Sequence, residues 1–288
     1  MNNGTLNNRI RISVFYANDS WQQFVSDFLR PFVSKHTQNG NIGAIYIALN
    51  NDQGDNIRFA FECNAADKDQ FGDELHIQLS NYLALKPSGQ PPENYVGKDF
   101  FMNFPNNSIQ YNLYEPDFTN NDVKKLSSLI SERIMKVLAE DGYGDSFTFT
   151  FLLYIIMTFY CAHETVYGDA DNLKITSMLY GDEAANKAPD TSFEVYNDLF
   201  TENEEIIKNM YLEVIDGQDE DGSVTDLEQL KAHYSLMLTG FDKSETVEHT
   251  MLLSFDRVIA DQVNMNHDLL PFIYYVVYLA SMGSFTDQ

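Results

Sequence analysis

The chain has 288 residues, with 43 acidic against 18 basic side chains and a formal net charge of −25 at pH 7. That length is enough for one large domain or two small ones around a sizeable core. The charge argues against a nucleic-acid partner and against an anionic membrane surface, since both need clustered Lys and Arg. An acidic surface would instead attract a basic peptide or protein.

Cysteine content and hydropathy argue against three further classes: disulfide-rich, secreted and membrane-spanning proteins. Two cysteines, Cys63 and Cys161, with no CxxC motif, are too few for a disulfide scaffold. The N-terminal residues lack the basic start and apolar run of a secretion signal. The most apolar run, residues 147–160, is shorter than the roughly 20 residues that span a bilayer. We therefore expect a buried helix there, no membrane span and, by default, a cytoplasmic location.

The first 117 residues alternate between strand and helix patterns. Period-two alternation predicts strands at 9–16, 44–48, 56–61 and 109–114, with 96–104 as a further candidate. Helical spacing of apolar residues predicts helices at 20–34 and 67–85, and Pro31 is expected to kink or shorten the first. The resulting order β-α-β-β-α-β predicts a ferredoxin-like layer.

Beyond residue 117 the pattern becomes mainly helical. Predicted helices lie at 121–140, 146–167, 192–215, 226–238, 244–263 and 268–282. We therefore predict an α+β protein, with a ferredoxin-like sub-region at 1–117 and a helical sub-region at 118–288 in one compact body.

Arg58 is a cation in an otherwise apolar predicted strand. A charged side chain in that setting needs a partner or a ligand, unless it lies on a solvent face. Pairing with a local carboxylate, Asp52 or Asp55, would make Arg58 structural. Convergence with Arg257 on a polar pocket would make it functional.

Neither a metal site nor a nucleophile is expected from the residues alone. The acidic loop 216–221 begins a partial EF-hand pattern, but Gly217 stands where the first carboxylate ligand belongs, so we interpret the loop as solvated. His163-Glu164 lacks the second histidine of HExxH. Cys161 and His163 are two residues apart on a helix and do not share a face. We predict no metal and no cofactor.

Residues 46–61 (YIALNNDQGDNIRFAF) lie without a gap over the pattern FFIRYxDPxxHLRLRF. The chain in this respect resembles the C-terminal domain of lantibiotic dehydratases, which also occurs as stand-alone proteins in thiopeptide-type pathways. The opening strand and the amphipathic helix that precede the pattern fit as well. Looser likenesses follow at 111–117, 147–164 and 252–257, the last falling where many members read HMxxNR. The resemblance implies a role in lantibiotic, thiopeptide or bacteriocin biosynthesis, on a dehydrated or glutamylated precursor peptide.

The departures from the family pattern bear on the chemistry. Asp52, Arg58 and, in the C-terminal segment, Arg257 are kept. The positions of the family's first arginine, its histidine, its last arginine and its C-terminal histidine hold Leu49, Asn56, Ala60 and Leu252. Glutamate elimination needs a group that takes a proton and cations that hold the glutamate. These replacements argue against elimination by this chain alone.

Two interpretations stay open. The first is a lyase- or cyclase-type peptide-modifying enzyme, in which positioning matters more than a strong base. The resemblance then implies catalytic roles for Arg58 and Arg257 and substrate binding by Asp52 and Asn56. The second is a non-catalytic paralogue that binds a precursor peptide or a partner enzyme, for instance by strand addition at a sheet edge. A third class of members uses charged tRNA, which the net charge of −25 disfavours. We favour the enzyme slightly.

Overall fold

The computed structural model describes residues 8–64, 66–89, 103–116, 121–167, 191–216, 226–239 and 255–283. By its contacts the chain divides into two units. The first contains residues 1–147 and 261–264, and the second contains residues 148–260 and 265–288. The sub-regions 1–117 and 118–288 predicted from the sequence stay a prediction.

The first unit is built on a four-stranded antiparallel sheet. Its strands are β1 (Arg9–Phe15), β2 (Ile42–Asn50), β3 (Asn56–Cys63) and β4 (Ser108–Tyr111), in the spatial order β2-β3-β1-β4. The four strands predicted from period-two alternation are confirmed to within a few residues. Most of the fifth candidate, 96–104, lies outside the described residues.

The two faces of the sheet differ in chemistry because side chains alternate along each strand. One face is apolar and buried, with Ile12, Val14, Ile45, Ile47, Leu49, Ile57, Phe59 and Phe61. Helices cover it, and Phe61 packs on Phe32 and Phe71 at ring-centroid distances of 6.3 and 5.4 Å. The opposite face carries polar and charged side chains in register, among them Arg9, Arg11, Ser13, Asn56, Arg58 and Glu62.

The helical segment between β1 and β2 is irregular. It runs through a 3₁₀ turn (Asn18–Ser20), α1 (Trp21–Phe24), a π-helical turn (Val25–Leu29) and α2 (Arg30–Gln38). The backbone N–H of Arg30 bonds to the carbonyl of Val25, five residues back. Pro31 follows at once; it lacks an N–H, and its ring crowds the carbonyl of Asp27. The predicted kink thus takes the form of a π turn, and the helix continues past residue 34.

Two longer helices complete the first unit. Helix α3 (Lys68–Leu85) begins one residue after its predicted start, and α4 (Asn121–Asp141) follows β4 along the chain. Helix α4 packs beside β2, the strand at one edge of the sheet. Ser131 Oγ of α4 accepts a hydrogen bond from the Ile47 N–H at 2.8 Å, and Gln262 Nε2 donates to the Ile47 carbonyl at 3.0 Å. Side chains therefore occupy the outward backbone groups of β2 at Ile47.

The second unit is helical where it is described. Its helices are α5 (Phe147–Tyr167), α6 (Thr191–Asp216), α7 (Asp226–Thr239), α8 (255–262) and α9 (Leu270–Gly283). The first residue of α5 and the last two residues of α8 belong to the first unit. The predicted helices at these positions are confirmed, although only 255–263 of the range 244–263 is described. The apolar run in α5 is buried, with Leu152, Ile155 and Met157 at 0 % exposure. None of the helices in the described ranges is long and apolar enough to cross a membrane.

Candidate functional site

The turn between β2 and β3 is closed by side-chain amides. Asn56 is fully buried, and its Nδ2 donates to the carbonyl oxygens of Gly54 and Asp52 at 2.7 and 3.2 Å. Asn50 Oδ1 accepts from the Asp52 N–H at 2.8 Å. Gln53 and Gly54 have positive φ angles of 61° and 111°, the backbone conformation such a turn requires. The turn therefore fixes the two asparagines at the ends of their strands.

Arg58, one pleat along β3, is held by these asparagines. Its Nε donates to Asn56 Oδ1 at 2.9 Å, and its Nη2 donates to Asn50 Oδ1 at 2.7 Å. Within the described ranges no carboxylate forms an ion pair with Arg58, which is half-buried. Burial lowers the pKa of Arg58, while the charges of Asp52 and Tyr114 raise it. The guanidinium thus stays charged with neutral partners, which leaves it able to hold an anionic group.

The polar face around Arg58 contains further groups that could contact a ligand. Ser13 lies directly opposite Arg58 on β1, and its buried Oγ has no hydrogen-bond partner among the described residues. The phenol of Tyr114 interacts electrostatically with Arg58 and Asp261, and burial raises the pKa of Tyr114. These groups supply hydrogen-bond donors beside a cation, an arrangement suited to holding an oxyanion or a carboxylate.

Two further arginines on this face were not singled out from the sequence. Arg9 donates from Nε and Nη2 to Glu62 Oε1, both at 3.1 Å, and Lys124 lies 2.7 Å from the other oxygen of Glu62. Arg9 also lies 3.6 Å from Glu115, whose second oxygen pairs with Arg11. The pattern RIR in an alternating strand could have indicated that both arginines share a face. The sequence gives no sign that Glu115, about a hundred residues later, would meet them.

The predicted substrate-binding residues have structural partners. Asp52 is exposed in the turn, and its carboxylate accepts from Asn50 Nδ2 at 3.2 Å. Asp55, the other carboxylate considered as a partner of Arg58, accepts instead from the Asn18 N–H at 3.2 Å. Asn56 uses both ends of its amide inside the hairpin and so positions Arg58. Substrate binding by Asp52 and Asn56 stays a prediction.

Arg257 belongs to the second unit, whereas Arg58 belongs to the first. Arg257 is exposed on α8. The preceding residue, Asp256, is buried and accepts a hydrogen bond from Tyr274 Oη of α9. Burial raises the pKa of Asp256 to about 7, an effect that the Tyr274 hydrogen bond opposes. The catalytic role of Arg257 stays a prediction.

The other positions where the chain departs from the family pattern differ in their surroundings. Leu49 is 1 % exposed on the apolar face of the sheet, and Ala60 is buried opposite Tyr46 and Arg11. Leu252 lies outside the described residues. The hydrogen-bond partners of Arg58 in the described ranges are amide oxygens, which do not act as bases at neutral pH.

Metal and thiol chemistry find no support in the described ranges. No group of three or more His, Cys, Asp or Glu side chains there could hold a metal ion. Most of the acidic loop 216–221 lies outside those ranges. Cys63, Cys161 and His163 are buried, and burial raises the pKa of Cys63 to about 11. A thiol with so high a pKa is a poor nucleophile at neutral pH.

Three solved structures are similar in fold to this chain. The match to the pyridine synthase TbtD from thiomuracin biosynthesis covers 98 % of this chain and 100 % of TbtD, with a TM-score of 0.67 and 10 % identity. The match to TsrL covers 96 % of this chain and 95 % of TsrL, with a TM-score of 0.56 and 10 % identity. The tRNA-dependent lantibiotic dehydratase MibB from Microbispora sp. 107891 has a TM-score of 0.54 at 9 % identity, and this chain spans 29 % of its length. No family model and no curated protein matches the sequence. The chain thus has a fold found in thiopeptide and lantibiotic biosynthesis proteins.

Proposed function

We propose that this chain is a stand-alone protein of lanthipeptide- or thiopeptide-type biosynthesis that acts on a dehydrated or glutamylated precursor peptide. Two solved structures with this fold are named as a pyridine synthase from thiomuracin biosynthesis and as a lantibiotic dehydratase, which supports the pathway class. The spatial order β2-β3-β1-β4 also supports our interpretation of the sheet as a ferredoxin-like layer.

The observation that carries this proposal is the setting of Arg58. A half-buried guanidinium costs free energy to desolvate, and a structural arginine normally recovers that cost through a carboxylate. Arg58 has two asparagine oxygens in place of a carboxylate. Its charge is therefore available to an anionic or strongly polarised group of a peptide, with Tyr114 and Ser13 nearby.

The proposed chemistry depends on positioning. Asn56 cannot exchange a proton at neutral pH, and neither can Leu252, so elimination would need a base from elsewhere. A cyclisation or another reaction of dehydrated residues needs reactive groups held close together and hydrogen bonds to a developing charge. We assign Arg58 the role of hydrogen-bonding to that developing charge.

A non-catalytic peptide-binding protein is the second candidate. The observation favouring it is that both Nδ2 and Oδ1 of Asn56 bond within the hairpin, so the family's histidine position has a structural role here. The partner would be a precursor peptide or a partner enzyme, and strand addition at β2 would have to displace Ser131 and Gln262 from Ile47.

The test is turnover and binding with purified protein and a dehydrated precursor peptide, read by product mass and by peptide affinity. Arg58→Gln and Arg257→Gln are compared with Arg30→Gln, an exposed arginine 4.0 Å from Glu140 that serves as the matched control. The enzyme proposal predicts a mass change that Arg58→Gln abolishes and Arg30→Gln preserves. Binding without any mass change would support the peptide-binding candidate, and the absence of both would contradict the proposal.

A further inference from the structure

A row of polar side chains crosses three strands of the sheet at Arg58. Ser13 lies directly opposite Arg58 in the β1–β3 register, and Gln110 lies directly opposite Ser13 in the β1–β4 register. Directly opposite residues project from the same face of an antiparallel sheet, with Cβ atoms about 4.5–5.5 Å apart. Ser108, two residues before Gln110 on β4, projects from that face as well. This polar row therefore leads from Arg58 over β1 to β4, away from β2.

Two hydroxyls of the polar row are buried without a partner. Ser13 is 0 % exposed, and neither its Oγ nor the buried Oγ of Ser108 has a hydrogen-bond partner among the described residues. A hydroxyl buried in this way costs free energy in the folded protein unless a further group satisfies it. Alanine at either position would avoid that cost. We therefore expect both serines to hydrogen-bond to a group that binds beside them.

Arg58 has N–H groups left for the same ligand. A guanidinium carries five N–H donors. Arg58 uses one on Nε for Asn56 and one on Nη2 for Asn50, both in the hairpin. Its other donors, and the half-buried amide of Gln110, have no hydrogen-bond partner in the part of the chain that the structure describes. Neighbouring positions of one sheet face thus offer a cation, two hydroxyls and an amide to a ligand.

We propose that Ser13 and Ser108 are substrate-binding residues of the Arg58 site, and that the main chain of a bound peptide crosses β1 towards Gln110. One main-chain carbonyl of the peptide accepts hydrogen bonds from both Arg58 and Ser13, since a carbonyl oxygen has two lone pairs. The next polar groups of the peptide meet Ser108 and Gln110. This inference rests on the proposed function, because it takes a peptide as the ligand at Arg58. It adds the direction of the peptide and two binding residues outside residues 46–61.

The first measurement separates a ligand-binding hydroxyl from an ordinary buried serine. Ser13→Ala removes no hydrogen bond between described residues, so its melting temperature should equal or exceed that of the wild type. Its affinity for a dehydrated precursor peptide should nevertheless fall about tenfold, as the loss of one hydrogen bond to a buried group predicts. Ser108→Ala should behave in the same way. Ser34→Ala, at an exposed position of α2, is the control and should change neither quantity.

A second ligand distinguishes failure of this inference from failure of the proposed function. Acetate offers a carboxylate oxygen in place of the peptide carbonyl and involves no peptide chemistry. Titrated against chloride at constant ionic strength, acetate should shift the backbone amide NMR signals of Ser13 and Ser108. Arg58→Gln and Ser13→Ala should each weaken acetate binding severalfold, and Ser34→Ala should leave it unchanged.

The combined results decide between the two. Peptide binding or conversion that neither serine variant alters, with acetate affinity also unchanged, would overturn this inference and leave the proposed function standing. A lower melting temperature of Ser13→Ala would likewise overturn it, because the hydroxyl would then be structural. Acetate binding that depends on Ser13, in a protein without affinity for the peptide, would contradict the proposed function and keep the serines as ligand-binding residues. A wild type that binds neither ligand would overturn both.

Discussion

Arg58 reaches across the hairpin to Asn50, its Nη2 lying 2.7 Å from the Asn50 Oδ1 of the neighbouring strand. The same oxygen accepts the Asp52 N–H, so one amide orients both the guanidinium and the turn. A carboxylate at either asparagine would have neutralised Arg58 permanently. The neutral amides fix its geometry and leave its charge available, which is the property a binding site needs.

Asn56→Ala should destabilise the first unit. The substitution removes donors to the carbonyls of Gly54 and Asp52 at a position with 0 % exposure. Each lost hydrogen bond costs about 0.5–1.5 kcal/mol, and we expect a total loss of about 1–3 kcal/mol in the free energy of unfolding. Urea unfolding followed by the fluorescence of Trp21, the single tryptophan, which is 2 % exposed in this unit, measures it.

Asn81→Ala is the matched control for this change, since Asn81 is exposed on α3. It should alter the free energy of unfolding by less than about 0.5 kcal/mol. If Asn56→Ala were equally mild, the hairpin would not depend on its buried amide, and the argument that Asn56 positions Arg58 would fail.

Gln262→Ala should both destabilise the protein and expose a strand edge. Gln262 Nε2 donates to the carbonyls of Ile47 and Ser127 at 3.0 and 3.1 Å and lies 3.0 Å from Ser131 Oγ. Because Gln262 is 2 % exposed, truncation leaves the Ile47 carbonyl without this donor and without water, at a cost of about 2 kcal/mol, whereas the Ser127 carbonyl keeps its bond from Ser131 Oγ. The uncovered β2 edge should then promote self-association.

Urea unfolding and light scattering measure the two effects of Gln262→Ala separately. Gln229→Ala, at an exposed position of α7, is the control and should leave both unchanged. A Gln262→Ala protein that is less stable yet strictly unchanged in association state would show that α4 alone protects the β2 edge.

The strands were readable from the sequence because their alternation is a local property. Residues 9–16 and 56–61 place apolar side chains at every second position, and half-burial of a sheet needs nothing more. The sequence predicted where the helix around Pro31 lies, but not that it contains a π turn. A missing N–H can be accommodated by a kink, a break or a π turn, and the packing of the neighbouring helix residues decides between them.

The site was less readable because its partners come from distant parts of the chain. Arg58 was identifiable as a cation needing a partner, but the geometry of the turn decided that Asn50, not Asp52 or Asp55, would meet it. Arg9 and Arg11 both pair with Glu115, about a hundred residues later in the chain. A local sequence pattern does not predict this long-range contact, since it depends on how the segment after β4 crosses the sheet.

His36 should make the first unit sensitive to acid. Its ring is 1 % exposed and lies 4.3 Å from the Phe32 ring and 5.1 Å from the Phe71 ring, measured between centroids. Burial lowers its pKa, an effect that the nearby Glu74 opposes and Lys35 reinforces. The unfolded state therefore binds a proton more readily, so stability is full above pH 6.5 and falls as the pH drops below that value.

The measurement for His36 is Trp21-detected urea unfolding at several pH values between 5 and 8. His36→Gln should flatten the part of the profile below pH 6.5, whereas His76→Gln, an exposed histidine on α3, should leave it unchanged. Loss of stability on raising the pH through this window, with His36 intact, would reverse the assigned sign.

Asp256 should have the opposite dependence in the second unit. Its carboxyl is 5 % exposed, and burial raises its pKa from 3.8 to about 7 even though Tyr274 donates a hydrogen bond to it. The folded state therefore holds a proton that the unfolded state has released. The stability that this proton contributes is present below about pH 4 and is lost as the pH rises towards 7.

Asp256→Asn tests this sign directly, because the amide keeps the shape and cannot ionise. We expect the variant to gain thermal stability relative to the wild type as the pH is raised from 5 to 8, with the difference levelling off above the folded pKa of about 7. Calorimetric melting at each pH measures it, and Asp268→Asn, at an exposed position before α9, is the control. A variant that falls below the wild type by a growing margin as the pH rises would mean that the buried carboxylate is stabilised as an anion, and Tyr274 would then be its essential partner.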